Sequence, residues 1–392
     1  MLGLIGRKEE LFKKDIEDND QILNEVIEKS SFLVIGAAGS IGQAVTKELF
    51  KRNPQKLHCV DISENNLVEL VRDLRSSYGY ISGDFKTFAL DVGRNEFYKM
   101  YDLFGEYDYV LNLSALKHVR SEKDPFTILR MIDVNILNTE KTILKSIENK
   151  AKKYFCVSTD KAANPVNMMG ASKRIMEFFL YHYSSKIDIS TARFANVAFS
   201  DGSLLSGFNQ RILKKQPLAA PSDVKRYFLT PKESGELCLL SCIFGDSGDI
   251  YFPKLNEELN LITFSDIAKN YLKSKGYEPF ICKSEEEARE SINLIERNQW
   301  PCYFSESTTT GEKDFEEFYV EGEELDMHKY FGVGIVKKKS TYDYQVLEEF
   351  KLKLSYIREM KIIEKREIVN LFKLCLPNFL HEEKGKYLDD KM

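Results

Sequence analysis

A hydroxyl, a carboxylate and an amine occur side by side near the middle of this chain, at Thr159, Asp160 and Lys161. One such group can position a bound molecule, one can donate a proton and one can accept a proton. The same residues could instead form a polar loop whose charges are only solvated. The elements on either side decide whether these side chains would meet a ligand.

The residues around this triplet predict a strand followed by a helix. Residues 153–157 are aromatic and β-branched, which is typical of a buried strand, and residues 170–179, which include Lys173, have the pattern of a helix. Open α/β sheets bind ligands at the carboxyl ends of their strands. The triplet is therefore predicted to lie in a binding cleft.

A glycine-rich turn in residues 36–42 predicts another part of this cleft. It follows the apolar run 31–35 and precedes the helical run 43–50, which is the context of a dinucleotide fingerprint, although its spacing is GxxGxxG. Glycines let the backbone approach a pyrophosphate, whose charge faces the helix N-terminus. The alternative is a purely structural turn. The candidate cofactor contacts in this turn are Gly36, Ala38, Gly39, Ser40 and Ile41.

Asp61 ends the second predicted strand, at a separation from the glycine turn that suits an acidic residue binding the adenosine ribose. A carboxylate there would repel a 2′-phosphate, which favours NAD over NADP. Asp61 could also be a helix N-cap, but Ser63 can take that role while Asp61 binds ribose. The ends of the third strand, 88–92, and the fourth, 109–115, add Asp91, Val92, Ser114 and Ala115 as cofactor contacts.

Composition bounds the class of protein. The chain has 392 residues, 43% hydrophobic and 30% charged, which is enough for a large core and more than one domain. A net charge of −5 argues against nucleic acid or an anionic membrane as a partner. The seven cysteines form no CxxC pair and the five histidines are scattered, so no metal site is indicated. No apolar run is long enough to span a membrane, and we expect a soluble, cytoplasmic protein.

These motifs resemble those of extended short-chain dehydrogenase/reductases, and more narrowly those of capsular-polysaccharide-type 4,6-dehydratases acting on UDP-N-acetylglucosamine. The resemblance covers roughly residues 30–320, and the Thr-Asp-Lys run followed by Asn164-Pro165 is its most specific part. The other matching segments are 36–42, 115–119, Lys173, 193–197, 201–203, 226–230 and 311–313. The family resemblance implies an α/β fold, with a Rossmann-type doubly wound parallel sheet, a smaller C-terminal substrate domain and a helical tail.

The sequence departs from this family in two places. The superfamily's active-site Tyr lies four positions before Lys173, where this chain has Met169. Longer, membrane-anchored members of the dehydratase group also carry Met there and are of the retaining kind, so we expect an active enzyme whose product keeps its C5 configuration. The membrane-spanning N-terminal region of those members has no counterpart here, and we expect no membrane insertion.

The resemblance implies a reaction and a role for each residue. NAD would take a hydride from sugar C4 and return it to C6 after water has left across C5 and C6. Thr159 would hold the 4-hydroxyl, Asp160 would be the acid and Lys161 the base, which requires a protonated carboxyl and a neutral amine in a water-poor site. Lys173 would hold the nicotinamide ribose, or else it is a solvated helix lysine.

Several other polar residues are candidates for substrate contacts. Ser203, Asn209 and Arg226 could bind the diphosphate and the base, because a guanidinium can fork onto phosphate, although Arg226 could instead form a surface salt bridge. Glu312 and Lys313 are weaker candidates. The remaining substrate candidates are Lys117, His118, Met169 and Asn196, with His118 at the edge of the substrate rather than as a base.

The domain prediction has four parts. They are N-terminal helices in 1–30, an NAD-binding Rossmann domain in 31–200 to which strands from about 224–255 return, a substrate-binding portion in 201–335 and a helical extension in 336–392. Helices around 126–149 and 170–186 carry more apolar surface than one sheet face needs, which predicts a homo-oligomer.

Two other functions stay open from the sequence. A sugar 4-epimerase of the same fold would not need an acid and base pair such as Asp160 and Lys161, and it would depend on the Tyr that is missing. A non-catalytic dinucleotide-binding scaffold is favoured only by Met169. The nucleotide of the substrate could be UDP, GDP or dTDP.

Overall fold

Strands and helices alternate along most of the chain. The computed structural model describes residues 1–255, 261–307, 316–337 and 344–381. The strands are β1 (Ser31–Ile35), β2 (Lys56–Asp61), β3 (Asp84–Ala89), β4 (Tyr109–Asn112), β5 (Lys153–Thr159), β6 (Asp188–Phe194), β7 (Asn196–Val197), β8 (Leu218–Pro221), β9 (Lys225–Arg226), β10 (Phe228–Leu229), β11 (Ile250–Pro253), β12 (Ile262–Thr263), β13 (Glu278–Cys282), β14 (Gln299–Ser305), β15 (Glu324–Asp326) and β16 (Val333–Lys337). The helices are α1 (Lys13–Glu28), α2 (Ser40–Phe50), α3 (Glu64–Tyr78), α4 (Asn95–Phe104), α5 (Pro125–Ile132), α6 (Asn138–Glu148), α7 (Met168–Tyr183), α8 (Leu204–Leu213), α9 (Pro231–Phe244), α10 (Phe264–Ser274), α11 (Glu285–Glu290), α12 (Tyr344–Glu359) and α13 (Lys365–Cys375).

One large sheet organises the chain. Within the described residues it has nine strands in the order β15-β16-β11-β6-β5-β4-β1-β2-β3. The strands from β3 to β11 are parallel, and β16 and β15 are antiparallel additions at one edge. Strands β1 to β3 are added toward one edge of the sheet and β4 to β6 toward the other. The strand order therefore reverses between the parallel neighbours β1 and β4, which is the place where a doubly wound sheet opens a ligand crevice. The predicted α/β class with a Rossmann-type doubly wound sheet is confirmed.

The sheet is buried on both faces, as a parallel sheet requires. Phe32 and Val34 of β1 pack on the face covered by α2, α3 and α9. Leu33 and Ile35, the alternate residues, pack on the face covered by α4 to α7. This explains why β1 reads as a continuous apolar run rather than as an alternating strand.

A smaller unit lies beyond the main sheet. It contains the parallel three-stranded sheet β13-β14-β8, and its apolar core surrounds Trp300 and includes Ile267 and Leu272 of α10. The Trp300 indole donates a hydrogen bond to the Gln216 carbonyl at 3.0 Å. This unit lies within the predicted substrate-binding portion, but β15 and β16 of the same range pair with the main sheet. The domain boundaries stay a prediction.

Several predicted elements differ in detail. Helix α2 begins at Ser40 rather than at residue 43, and the fourth strand, predicted at 109–115, ends at Asn112. The third strand, predicted at 88–92, is found at Asp84–Ala89, so Asp91 lies in the turn after the strand. β3 is a half-buried edge strand, and its burial pattern has no continuous apolar run to mark its start. The helix predicted around 126–149 is divided into α5 and α6 by a π-helical turn at Asp133–Leu137.

The C-terminal helices α12 and α13 pack on the sheet face that is covered by α4 to α7. In α12, the four residues predicted to pack, Leu347, Phe350, Leu354 and Ile357, are buried, and they share an apolar cluster with α5, α7 and α13. The apolar residues of α7 that favoured an oligomer are buried in the same cluster: they are Ile175, Met176, Phe179 and Leu180. These side chains therefore offer no free surface to a second copy, and the homo-oligomer stays a prediction without that support.

No helix in the described part of the chain combines the length and the apolar character needed to cross a bilayer.

Candidate active site

The glycine turn between β1 and α2 leaves no room for a side chain at Gly36 or at Gly42. Gly36 has a φ of +76°, and a Cβ on it would lie 2.7 Å from the backbone nitrogen of Ser114. A Cβ on Gly42 would collide with the Gly36 carbonyl. The N-terminus of α2, which begins at Ser40, therefore faces a close-fitting backbone cradle. Such a cradle suits a diphosphate.

Asp61 is held at the mouth of this cradle. Its Oδ2 accepts a hydrogen bond from the Ala38 backbone N–H at 2.9 Å, and its Oδ1 accepts one from the Ser63 N–H at 2.9 Å. Ser63 is the N-cap of α3, where its hydroxyl accepts from the Asn66 N–H at 3.4 Å. The cap and the carboxylate are thus separate residues, and Asp61 is positioned beside the turn where a ribose would lie.

A cavity of about 260 Å³ opens above the glycine turn. Most of the predicted cofactor contacts line it, namely Gly36, Gly39, Asp61, Asp91, Val92, Ser114 and Ala115. Arg130 of α5 and Asn138 of α6 also line the cavity, and the sequence analysis missed both because they lie inside helices without a motif. The cavity has the mixed apolar and polar lining expected for part of a dinucleotide site.

The loop after β4 meets the segment after β7. The His118 ring lies against Gly202, where an added Cβ would be 2.7 Å from Nε2. The backbone N–H of Asp201 donates to the Ser40 hydroxyl at 2.8 Å, which ties this segment to the glycine turn. Ser203 is the N-cap of α8, and Lys117 is exposed. Lys117 and His118 thus border the cleft, while the Ser203 hydroxyl is used locally.

The triplet at the end of β5 forms a contact cluster. β5 ends at Thr159, and the next three residues form a 3₁₀ turn, so the side chains no longer alternate as in a strand. Thr159 Oγ1 donates to Asp160 Oδ1 at 2.7 Å, and Lys161 Nζ donates to both oxygens of Asp160 at 3.1 and 3.3 Å. The Asp160 side chain is buried, and that of Lys161 is partly exposed toward the cleft.

Helix α7 packs against this cluster. A Cβ on Gly170 would lie 2.5 Å from the Lys161 carbonyl, so the glycine allows the helix to approach the turn closely. Lys173 is buried and donates to the Val157 carbonyl at 3.1 Å, and its burial lowers the pKa of the amine. Met169 is buried one turn before Lys173. Lys173 thus contacts β5 two residues before the triplet.

Asn135 in the π-helical turn connects two sides of the site. It accepts a hydrogen bond from the Leu116 N–H at 2.9 Å, and it donates to the Leu116 carbonyl at 3.0 Å and to the Ser172 hydroxyl at 2.9 Å. π-helical turns are often found at functional sites. Sequence reasoning missed Asn135 because nothing in a helical pattern marks a π turn.

The predicted substrate residues do not all come together. Asn196 Nδ2 donates to Glu316 Oε1 at 2.7 Å, and the Arg226 Nε lies 3.8 Å from the same oxygen. Asn209 instead accepts from the Tyr271 hydroxyl at 2.5 Å in the smaller unit. Glu316 was missed because no local pattern marks it. Glu312 and Lys313 lie outside the described residues.

Comparison with known sequences gives the family. A family model described as polysaccharide biosynthesis protein matches residues 32–334. The chain is 28% identical over 365 residues to the uncharacterized membrane protein MJ1061 of Methanocaldococcus jannaschii, covering 90% of this chain and 98% of that protein. It is 29% identical over 275 residues to the capsular polysaccharide biosynthesis protein CapD of Staphylococcus aureus, covering 68% of this chain but only 45% of CapD. A UDP-glucose 4-epimerase of Rickettsia bellii is 26% identical over 344 residues, covering 84% of this chain and 94% of the epimerase.

Comparison with solved structures agrees with the fold. Pen from Bacillus thuringiensis aligns with a TM-score of 0.64 and 21% identity, covering 89% of this chain and 99% of Pen. DesIV, a dTDP-glucose 4,6-dehydratase from Streptomyces venezuelae whose structure holds NAD, aligns with a TM-score of 0.55 and 14% identity, covering 92% of this chain and all of DesIV. Since the family model matches more than half of its length, this protein belongs to the polysaccharide biosynthesis protein family.

Proposed function

We propose that this protein is an NAD-dependent 4,6-dehydratase that acts on UDP-N-acetylglucosamine and retains the configuration at C5. The contact cluster of Thr159, Asp160 and Lys161 at the carboxyl end of β5 carries this proposal. It supplies a hydroxyl, a carboxyl and an amine beside one cleft, which is what removal of water requires. Membership of a polysaccharide biosynthesis family supports a nucleotide-sugar substrate.

NAD fits the glycine turn, because Gly39 lines the cavity without a side chain at the N-terminus of α2 and Asp61 lies beside the turn. When bound, it would accept a hydride from sugar C4 and return it to C6. The buried amine of Lys173 would hold the nicotinamide ribose. The Asp61 carboxylate favours a ribose with a free 2′-hydroxyl.

The residues of the cluster divide the proton transfers. The Thr159 hydroxyl would hold the 4-hydroxyl of the sugar, and its hydrogen bond to Asp160 gives the departing proton a route. Lys161 would remove the C5 proton once the C4 ketone has made that proton acidic. With Met169 in place of a second proton donor, the same Lys161 would return a proton to the same face of C5, so the configuration would be kept.

The proposal is tested by incubating the protein and NAD with UDP-N-acetylglucosamine in D2O. We expect mass spectrometry to find a keto sugar that has lost one water, and proton NMR to find one deuteron at C5 with the original configuration. An inverted, L-configured sugar as the first product would overturn the argument from Met169. Parallel reactions with GDP- and dTDP-linked sugars read the nucleotide preference.

A sugar 4-epimerase is the second candidate, and the relatives named UDP-glucose 4-epimerase favour it. Such an enzyme would interconvert the C4 epimers of the substrate without loss of mass. The same reaction therefore separates the two functions. A non-catalytic scaffold would bind NAD and change neither mass nor configuration.

A further inference from the structure

A buried carboxyl outside the predicted catalytic set, that of Glu316, lies near the cluster and contacts the predicted substrate residues Asn196 and Arg226. The Glu316 side chain is 2% exposed, and its Oε1 is held by Asn196 and Arg226. In the ranges that the structure describes, its Oε2 is buried without a hydrogen-bond partner. A buried acceptor that lacks a partner is costly to stability, and such atoms are rare in folded proteins. This oxygen is therefore suited to a ligand group.

The segment that carries Glu316 is fixed to the base of the site. Buried Arg193 donates to the Phe318 carbonyl at 2.7 Å and binds both oxygens of Glu177 at 2.9 and 2.8 Å. Ser158, the residue before the triplet, donates to the same Glu177 at 2.7 Å. Burial alone would raise the pKa of Glu177, but Arg193 holds it at about 2, so the network stays charged. The Glu316 segment and the end of β5 thus share one rigid support.

Three ionisable side chains lie near Glu316, namely Asp160, Arg226 and Lys161. Burial raises the pKa of Glu316 and Asp160 raises it further, while Arg226 and Lys161 oppose them, and the result is about 7. A carboxyl with this pKa is about half protonated at neutral pH and can serve as an acid.

We infer that Glu316 is the acid that protonates the departing 6-hydroxyl, the role that the sequence assigns to Asp160. Both oxygens of Asp160 already accept hydrogen bonds from Thr159 or Lys161, whereas Glu316 keeps one oxygen open. The inference rests on the proposed function, because an acid at C6 is needed only for loss of water.

The protons balance over one turnover. The C4 hydroxyl proton passes through Thr159 to Asp160. The C5 proton passes to the Lys161 amine, the C6–O bond breaks, and the Glu316 proton joins the oxygen to give water. Asp160 then returns its proton to Glu316, and Lys161 returns its proton to C5 as the hydride from C4 reaches C6. One proton passes between the carboxyls of Asp160 and Glu316 in each turnover, and the site returns to its starting protonation state.

The first test compares Glu316→Gln with Glu317→Gln, a matched change at the next residue. Glutamine keeps an oxygen for Asn196 but cannot act as an acid. We expect E316Q to remove water from UDP-N-acetylglucosamine at least about 100-fold more slowly than the wild type does. The rate of E317Q should stay within about 2-fold of the wild-type rate. In D2O, substrate recovered from E316Q should still acquire deuterium at C5. The circular dichroism of both variants should match that of the wild type.

The second test changes the leaving group. A 6-deoxy-6-fluoro analogue releases fluoride, which needs no proton, so E316Q should process it within about 5-fold of the wild-type rate. Asp160→Asn should slow the reactions of UDP-N-acetylglucosamine and of its 6-fluoro analogue by the same factor. The wild-type rate of water loss should fall as pH rises through about 7, because Glu316 is then deprotonated, and the residual rate of E316Q should lack this fall.

The outcomes separate the two proposals. Wild-type protein that forms no dehydrated sugar overturns the proposed function, and the acid at C6 with it. Suppose that the wild type is active but E316Q removes water from the substrate as fast as E317Q does, or removes fluoride from the analogue as slowly as it removes water. Then Glu316 is not the acid, and the proposed function stands.

Discussion

The cofactor side and the substrate side of the candidate site are built in different ways. On the cofactor side, β1, the glycine turn and α2 are consecutive, and the contacts use backbone groups of residues such as Gly36. On the substrate side, Glu316 meets Asn196, from which it is separated by 120 positions. In the proposed function, dinucleotide binding thus depends on local backbone shape, whereas the proton transfers depend on side chains that the fold brings together. Changes on the two sides should therefore separate binding from chemistry.

The largest expected effect is on the chemical side. Lys161→Ala should slow formation of the dehydrated sugar by about 100- to 10,000-fold, because the base at C5 is lost. NAD affinity, measured by calorimetry, should change by less than about 2-fold. Lys141→Ala, at an exposed position on α6, is the control and should change neither quantity. Near-normal turnover of the Lys161 variant would remove it from the base role.

The reverse separation is expected on the cofactor side. Gly36→Ala should weaken NAD binding by about 10- to 100-fold, because the new Cβ would press on the Ser114 backbone and the φ of +76° is strained for alanine. Gly79→Ala is a matched control, since Gly79 also has a φ of +76° but nothing within 4 Å of an added Cβ. It should cost stability without weakening NAD binding. Equal NAD affinities of the two variants would contradict the cradle.

A smaller effect is expected at Asp61. Asp61→Ala should reduce the preference for NAD over NADP about 10-fold, because the carboxylate that binds a ribose hydroxyl and repels a 2′-phosphate is removed. Calorimetric titration of both dinucleotides into both proteins measures this. Tighter binding of NADP by the wild-type protein would exclude the assigned role.

The smallest expected effect is at Ser63, two residues away. Ser63→Ala removes the N-cap of α3 and should lower the free energy of unfolding by about 1 kcal/mol. Its preference for NAD over NADP should match that of the wild type. Urea denaturation measures the free energy of unfolding, and calorimetry on the same preparation measures the two dinucleotide affinities. A loss of NAD preference here would show that the cap and the ribose contact cannot be separated.

Local sequence patterns were sufficient for much of the fold. The apolar run of β1 and the glycine turn that follows it form as predicted, because strand burial and glycine conformation depend on neighbouring residues. Helix α2 follows the turn as predicted, but it begins at Ser40 instead of at residue 43. The triplet at Thr159–Lys161 also lies at the end of a strand, as predicted. The start of β3 was not predicted, since a half-buried edge strand lacks a continuous apolar run.

Only the tertiary structure decided which side chains meet across long separations. The burial of Ile175 and Phe179 beneath the C-terminal helices could not be read from α7, because an apolar face looks the same whether its partner is the same chain or another copy. The approach of Glu316 to Asn196 and Arg226 has no sequence period, because it depends on how three segments pack. The sequence by itself determined the sheet's doubly wound class and the position of the candidate catalytic triplet at the end of a strand. Tertiary packing alone placed a second carboxyl beside it, since desolvation and charge proximity are properties of the folded chain.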